Sequence, residues 1–355
     1  MNTLNRYIVL EVLKSSAIAM LLLLTLFDLF TFSDELDDIG KGSYGLTQVF
    51  YFVTLASPTV FYELMPAAAL LGSLFALGNM ANHNELIAMR AAGLSIFGIV
   101  RAALLAGVVM AGIAIAVGEL VAPDSEARAQ SMRANAQNKH LSLSSKNGLW
   151  LREEQRFINV RSIADNGGLA DINLYELNGQ HQLVRATHAK QAIYLGNKEW
   201  RLEDIQSSQI STTQMQASTL PEQLWQSSIA PDLLKIVVVL PDNLSLHDLY
   251  AYVAFLKSNQ LKSQKYELAF WGRVVNPLVI FVMLIVSVPF VIGIKRGINA
   301  SARILIGIII GMSFNVLDIS FAHLGLIHFF NPIFTATFPS LLVLALALLA
   351  IRRIN

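Results

Sequence analysis

EEQRFINVRSIADNGGLADINLYELNGQHQLVRATHAK, residues 153–190, decides how this chain is built. Apolar and polar residues alternate along it, and clusters such as DNGG and LNGQ interrupt it, a pattern of short strands separated by turns. It forms the middle of a polar stretch from about Pro123 to Gln264, whereas the chain on both sides is dominated by long apolar runs. A strand-rich soluble domain is therefore set into a membrane protein, dividing the chain into 1–122, 123–264 and 265–355.

The apolar parts hold six candidate spans. A hydrocarbon core of about 30 Å needs about 20 apolar residues as helix. Span one covers Ser15–Phe27 and continues past Asp28 to Ser33, with an amphipathic preface, LNRYIVLEVLKS, expected to lie at the membrane surface. The others are Thr59–Ala81, Ser95–Val121, Val274–Ile294, Ile304–Phe321 and Asn331–Ile351. Each must be helical, because unpaired backbone amides are too costly in hydrocarbon. Basic residues set the orientation. With the N-terminus in the cytoplasm, the inside segments hold Arg6, Lys14, Arg90, Lys295, Arg296, Arg303, Arg352 and Arg353, while the loop after span one, SDELDDIGKGSYG, holds four acids and one lysine. Both termini are then cytoplasmic, and the polar domain lies outside the cytoplasm, in the periplasm if the cell is Gram-negative.

Within that domain, strands are expected at Leu149–Ile163, Asp171–Asn178, Leu183–Leu195, Glu199–Ile210 and Lys235–Leu240. This spacing suggests a sandwich or jellyroll. Pro123–His140 reads as a helical stalk, and Ser245 as the cap of a helix leading to span four. The fold class is thus an α-helical membrane protein of six spans with an inserted, extracytoplasmic, jellyroll-like all-β domain.

Charged residues make up only 14% of the 355 residues, against about 25% in an ordinary soluble domain. The net charge of +1 and the scattered basic residues give no nucleic-acid footprint. Without cysteine there are no disulfides, thiolate metal sites or cysteine nucleophiles. IGKGS is not a phosphate loop, since Gly42 stands where Ser or Thr is needed. No HExxH occurs, and His323 and His328 are five apart, wrong for two ligands on one helical face. No catalytic residue, metal site or bound cofactor is expected.

Intramembrane acids carry more information, at roughly 2.5–3.5 kcal/mol each at mid-helix. Asp28 and Asp318 read either as snorkelling carboxylates or as polar contacts across a gate or cavity. The link between spans two and three, NHNELIAMRAAGLSIFG, is too long for a simple turn. Glu85, Leu86, Ala88, Met89 and Ala92 suit a short helix ended by Gly93. It is either a partly buried loop helix or a plug for a groove on a cytoplasmic partner, with Leu86, Met89 and Gly93 on one face and Glu85 beside it.

Several motifs carry a resemblance over essentially the whole chain: LNRYI at the start, GKGSYG after span one, MPAAALLGSLFALG in span two, NELIAMRAAG in the link, GELVAP closing span three, SKNGLWLR opening the domain, WRL at Trp200–Leu202 and VLD in span five. Their order resembles the lipopolysaccharide-export permeases of the LptF/LptG (YjgP/YjgQ) family, the LptG branch more than the LptF branch. The resemblance implies a subunit that pairs with an LptF-like sister permease on an LptB-like ATPase dimer, which uses the ATP and Mg²⁺. It implies that lipopolysaccharide enters laterally from the outer leaflet of the inner membrane and passes through the β-domain toward an LptC-like bitopic protein and an LptA-like periplasmic bridge. The link would be the coupling helix, with Glu85, Leu86, Met89, Ala92 and Gly93 facing the ATPase. Spans one and five would form lateral gates, with Asp28, Phe32, Phe314 and Asp318 on them.

One departure stands out. LptG relatives often place lysines at the outer end of span one, suited to lipid A phosphates. Here the segment reads TFSDELDDIGK, with Asp34, Glu35, Asp37 and Asp38, and only Lys41 close. Arg133, in the stalk motif MRANA, matches a family basic position. Phosphate contacts then come either from Lys41, Arg133 and the partner subunit, or from divalent cations bridging to the acids. Extracting an acylated lipid costs about 0.8 kcal/mol per methylene, so a chain with no ATP site must borrow work through a cytoplasmic contact. Leu149, Phe157, Ile172, Leu174, Tyr175, Ile193, Tyr194 and Trp200 are the expected lining of an acyl trough. A proton-coupled secondary transporter and a passive lipid-binding scaffold are the competing functions. The first needs repeats or broken helices, and no convincing repeat is present.

Overall fold

The computed structural model describes residues 3–137, 149–153, 155–163, 168–180, 182–196, 199–211, 214–227, 241, 244–292 and 300–354. The elements in chain order are α1 (Thr3–Leu36), α2 (Leu46–Asn82), α3 (Glu85–Ala91), α4 (Ile96–Leu120) and α5 (Ala122–Ala136), then β1 (Leu149–Glu153), β2 (Arg156–Ile163), β3 (Leu169–Leu177), β4 (Leu183–Gly196), β5 (Glu199–Ile210) and β6 (Met215–Gln226), then α6 (Leu246–Ser258), α7 (Gln264–Ile292), α8 (Ala300–Ile327) and α9 (Pro332–Ile354). Six of these helices, α1, α2, α4, α7, α8 and α9, are long and apolar enough to cross a membrane. They overrun the apolar windows at several ends, because a helix can continue past the hydrocarbon edge as long as its backbone bonds are made.

The chain separates into two compact units. One contains residues 1–37, 53–126 and 264–355; the other contains 38–52 and 127–263. The first is a helical bundle whose core runs through α2, α4 and α7, with Ala68, Ala69, Ala102 and Ala106 fully buried beside Leu70, Leu77 and Leu284. Small residues let the backbones approach, which is how helices gain contact where lipid is as apolar as the side chains. Gly72 shows the need: a Cβ there would run into the backbone of Ser16 on α1. The amphipathic preface of span one is not a separate surface helix. It forms the first turns of the unbroken α1, and Ile8, Val12, Ser15 and Ser16 bury one face in the bundle. The apolar face of that preface is taken up by the bundle rather than by the membrane surface.

The second unit is built on one antiparallel sheet in the order β1-β2-β3-β4-β5-β6. The expected strand Leu149–Ile163 is two strands folded back on each other, from Leu149↔Val160 to Glu153↔Arg156. No glycine, proline or asparagine marks that reversal, so the usual turn signals were missing. β6 was not foreseen. It is polar and contains Pro221, which suits an outer strand of the sheet. Pro221 has no partner in the register between Leu220 and Glu222, opposite Asp204, whose φ is +51°. The strand expected at Lys235–Leu240 lies outside the described residues. One sheet face gathers Ile158, Val160, Ile172, Leu174, Ala189, Trp200, Leu202, Ile205 and Trp225, and Phe255 of α6 packs against it. As expected, Ser245 caps α6, its hydroxyl accepting the Asp248 amide at 3.1 Å.

Candidate functional site

The link between α2 and α4 folds as the short helix α3. Asn84 enters it in the left-handed region, with φ of +61°. Gly93 ends it at φ +94°: its amide donates to Arg90 O at 3.0 Å, and the Leu94 amide donates to Met89 O at 3.0 Å. This paired 5→2 and 6→1 arrangement is the Schellman closure that a C′ glycine permits. Leu86 and Met89 are buried in the bundle core, so they hold the helix down. Ile87, Ala88, Arg90, Ala91, Ala92 and Gly93 are exposed. Glu85 is half-buried and accepts a hydrogen bond from the Tyr7 hydroxyl of α1, 3.0 Å from its Oε2.

On span one, Asp28 accepts a hydrogen bond from the Ser57 hydroxyl of α2 at 3.0 Å. Phe32 is half-buried. On α8, Phe314 packs against the bundle core, whereas Asp318 is exposed and forms no hydrogen bond or ion pair among the described residues. In the most apolar stretch of α8 only 6% of residues are buried, against 61% in those of α2 and α7. Much of the remaining surface of α8 is apolar, with Ile304, Leu305, Ile308, Ile309, Met312 and Val316 exposed.

Lys41 and Arg133 do come together, and Asp38 is what joins them. Asp38 Oδ2 accepts from Arg133 Nη2 at 2.6 Å and from Gln137 Nε2 at 2.9 Å, while its Oδ1 pairs with Lys41 Nζ. These donors, Lys41 first and then Arg133 and Gln137, hold the Asp38 carboxyl well below the usual carboxylate range. The Arg133 guanidinium also lies over the Phe52 ring, 5.2 Å from its centroid, a cation–π contact. The loop is fastened by backbone as well, because the Ser43 amide donates to Ala136 O at 2.7 Å. Gly42 sits there at φ +64°, and a Cβ would meet Ala136 O at 2.5 Å. GKGSYG and MRANAQ are therefore two halves of one clasp. Among the described residues no three acids or histidines gather as a metal ion would require.

A further polar node escaped the sequence reading. Arg273, on α7, donates from Nε to Glu119 Oε1 at 2.8 Å and from Nη2 to Gly118 O, both at the end of α4. Its guanidinium lies 5.1 Å from the Tyr62 ring centroid, and the Tyr62 hydroxyl donates back to Arg273 O at 3.0 Å. Asn276 Nδ2 donates to Tyr62 O at 3.3 Å. Gly118 has no Cβ because one would collide with the Tyr62 ring. The available signal was Arg273 standing at the mouth of span four, with Glu119 in the GELVAP motif.

In the sheet, the expected trough splits between two faces. Ile172, Leu174, Tyr194 and Trp200 belong to the apolar face. Phe157, Tyr175 and Ile193 alternate with buried Ile158, Leu174 and Ala192 and so point the other way. Trp150 joins them there, stacked on Tyr175 with centroids 5.8 Å apart. The Leu149 side chain is outside the described set.

Six apolar helices and an inserted antiparallel sheet define a multi-pass membrane protein with a central β-domain. Residues 6–353 match the family model described as lipopolysaccharide export system permease LptF/LptG. The chain is similar to the lipopolysaccharide export system permease protein LptG of Haemophilus influenzae, 33% identical over 346 residues, covering 97% of each chain. It is also similar to the LptG protein of Escherichia coli K12, 30% identical over 339 residues, covering 95% of this chain and 94% of the relative. The chain belongs to the LptF/LptG family of lipopolysaccharide export permeases.

Proposed function

We propose that this chain is the LptG-type subunit of an ATP-driven lipopolysaccharide extractor in the bacterial inner membrane. It pairs with an LptF-like sister permease and rests on an LptB-like ATPase dimer, which hydrolyses ATP with Mg²⁺. This subunit catalyses no reaction itself. Lipopolysaccharide leaves the outer leaflet through gates flanked by α1 and α8, enters the periplasmic β-domain, and passes on toward LptC-like and LptA-like carriers.

The observation that carries this reading is α8. A spanning helix with 6% of its most apolar stretch buried leaves most of that stretch uncovered by its own chain. Its exposed Asp318 would cost roughly 2.5–3.5 kcal/mol against lipid at mid-membrane. A neighbouring subunit or a wet lipid-entry cavity relieves that cost, and both belong to a lateral gate. The work enters at α3, the short helix carrying Glu85 on the α2–α4 link. At the other end of α1, Lys41 and Arg133 offer two cations to a lipid phosphate, with Asp38 as the counter-ion they already share.

Purification from native membranes tests the assembly. A sister permease and a soluble ATPase are expected to come with this chain, and the ATPase to be lost on Glu85→Arg. A chain purified alone, or an ATPase retained by that variant, refutes the reading. Charge reversal at Lys41 and Arg133 is expected to reduce lipopolysaccharide photocrosslinking into the cavity, and undiminished crosslinking in both variants removes their assigned role.

A further inference from the structure

The motif LNRYI opens the chain, yet nothing in the proposed function uses it. Its tyrosine meets the acid of α3: the Tyr7 hydroxyl donates to Glu85 Oε2 at 3.0 Å, across 78 positions of sequence. The two ends of α1 differ in how they are held. Ile8, Val9, Val12, Ser15 and Ser16 are buried in the bundle core, whereas Ile18, Leu21, Leu22, Leu26, Phe27, Leu29 and Phe30 are exposed. One unbroken helix therefore carries a clamped end at Tyr7 and a sparsely packed end at Asp28 and Phe32. At 1.5 Å per residue these ends lie roughly 30 Å apart.

We propose that Tyr7 is a positioning residue for Glu85, fixing the docking carboxylate and joining the docking helix α3 to the gate helix α1. A glutamate side chain on a helix surface samples several rotamers, and ordering it on binding has an entropic cost. A phenol donating to one carboxylate oxygen removes part of that freedom in advance. The other oxygen stays available to a cationic group on the partner, because a carboxylate accepts at both oxygens. Leu86 and Met89, buried on the adjacent turn, keep α3 from rotating away. A push on Glu85 is then delivered to α1 through Tyr7 as well as through packing. This rests on the reading of α3 as the ATPase-docking helix.

The test is a double-mutant cycle in the full permease pair, reading the dissociation constant of the purified partner ATPase. The variants are Tyr7→Phe, Glu85→Gln and both together, with thermal unfolding as the folding control. Tyr7→Phe removes only the hydroxyl, and is expected to weaken ATPase binding about three- to tenfold, the worth of one hydrogen bond. In the Glu85→Gln background the same change is expected to cost less than about half of that factor. If Glu85→Gln weakens binding but Tyr7→Phe does not, or if their effects multiply independently, Tyr7 does not act through Glu85. If Glu85→Gln leaves binding unchanged, the docking role of α3 fails first, and this inference falls with it.

Discussion

Arg273 and Arg133 each hold a carboxylate, and their surroundings set them apart. The Arg273 side chain is 4% exposed and is ringed by Glu119, the Gly118 carbonyl and Tyr62. The Arg133 side chain is 32% exposed, and it shares Asp38 with Lys41, itself 55% exposed. Arg273 joins α2, α4 and α7 into one body, and a buried charge that loses its partner is expensive. Arg133 sits where water, salt or a phosphate can compete for it. Similar chemistry gives a fixed joint in one place and an exchangeable contact in the other.

The sharpest way to break the comparison is Arg273→Leu, which takes the buried guanidinium away from the half-buried Glu119, the Gly118 carbonyl and the Tyr62 ring. It is expected to destabilise the bundle by about 3–5 kcal/mol, read as a lower unfolding temperature in detergent. Arg273→Leu with Glu119→Leu should recover most of that loss, and a double variant as unstable as the single one would show that geometry rather than charge is at stake. Gly42→Ala comes next. It forces an L-residue to φ +64° against the Ala136 carbonyl, at about 1–3 kcal/mol. The expected result is faster proteolytic cleavage in the 38–45 loop with the helical bundle's unfolding unchanged.

Asp38→Asn is smaller, on the order of 1–2 kcal/mol, because the amide oxygen still accepts hydrogen bonds. It has a distinctive pH signature. The folded Asp38 carboxyl is held below its ordinary value, so its contribution is fully present above the ordinary carboxylate range, about pH 4, and is lost only as pH falls below it toward the depressed value. Loop protection in the natural chain should therefore persist through mild acid and fail under stronger acid. In Asp38→Asn that acid-dependent step should vanish. Lys41→Gln is the smallest, at about 0.2–1 kcal/mol for an exposed pair, and moderate salt should erase the difference. If Lys41→Gln cost as much as Arg273→Leu, the contrast between the two sites would collapse.

Much of this was legible from residue order. Apolar runs of sufficient length gave the spans, and alternation gave most strands. Gly93 announced the end of α3, and the family resemblance rested on short motifs whose order matched. What escaped had weak local signals. The β1–β2 reversal has no turn residue, and β6 is polar with a proline. The two faces of the sheet were mixed in the expected trough, because it joined neighbours such as Leu174 and Tyr175, or Ile193 and Tyr194, whose side chains point to opposite faces of a strand.

Sequence by itself determined what each segment could be. Hydrocarbon demands helices of a certain length, and strands demand period two; both are properties of contiguous residues. Only the tertiary structure decided which distant side chains share a site. Tyr7 meets Glu85, Ser57 meets Asp28, Arg133 and Lys41 meet on Asp38, and Arg273 meets Glu119. Pairings of this kind depend on how helices pack and where a loop lacking a Cβ can close. Neither is a property of any one stretch of chain.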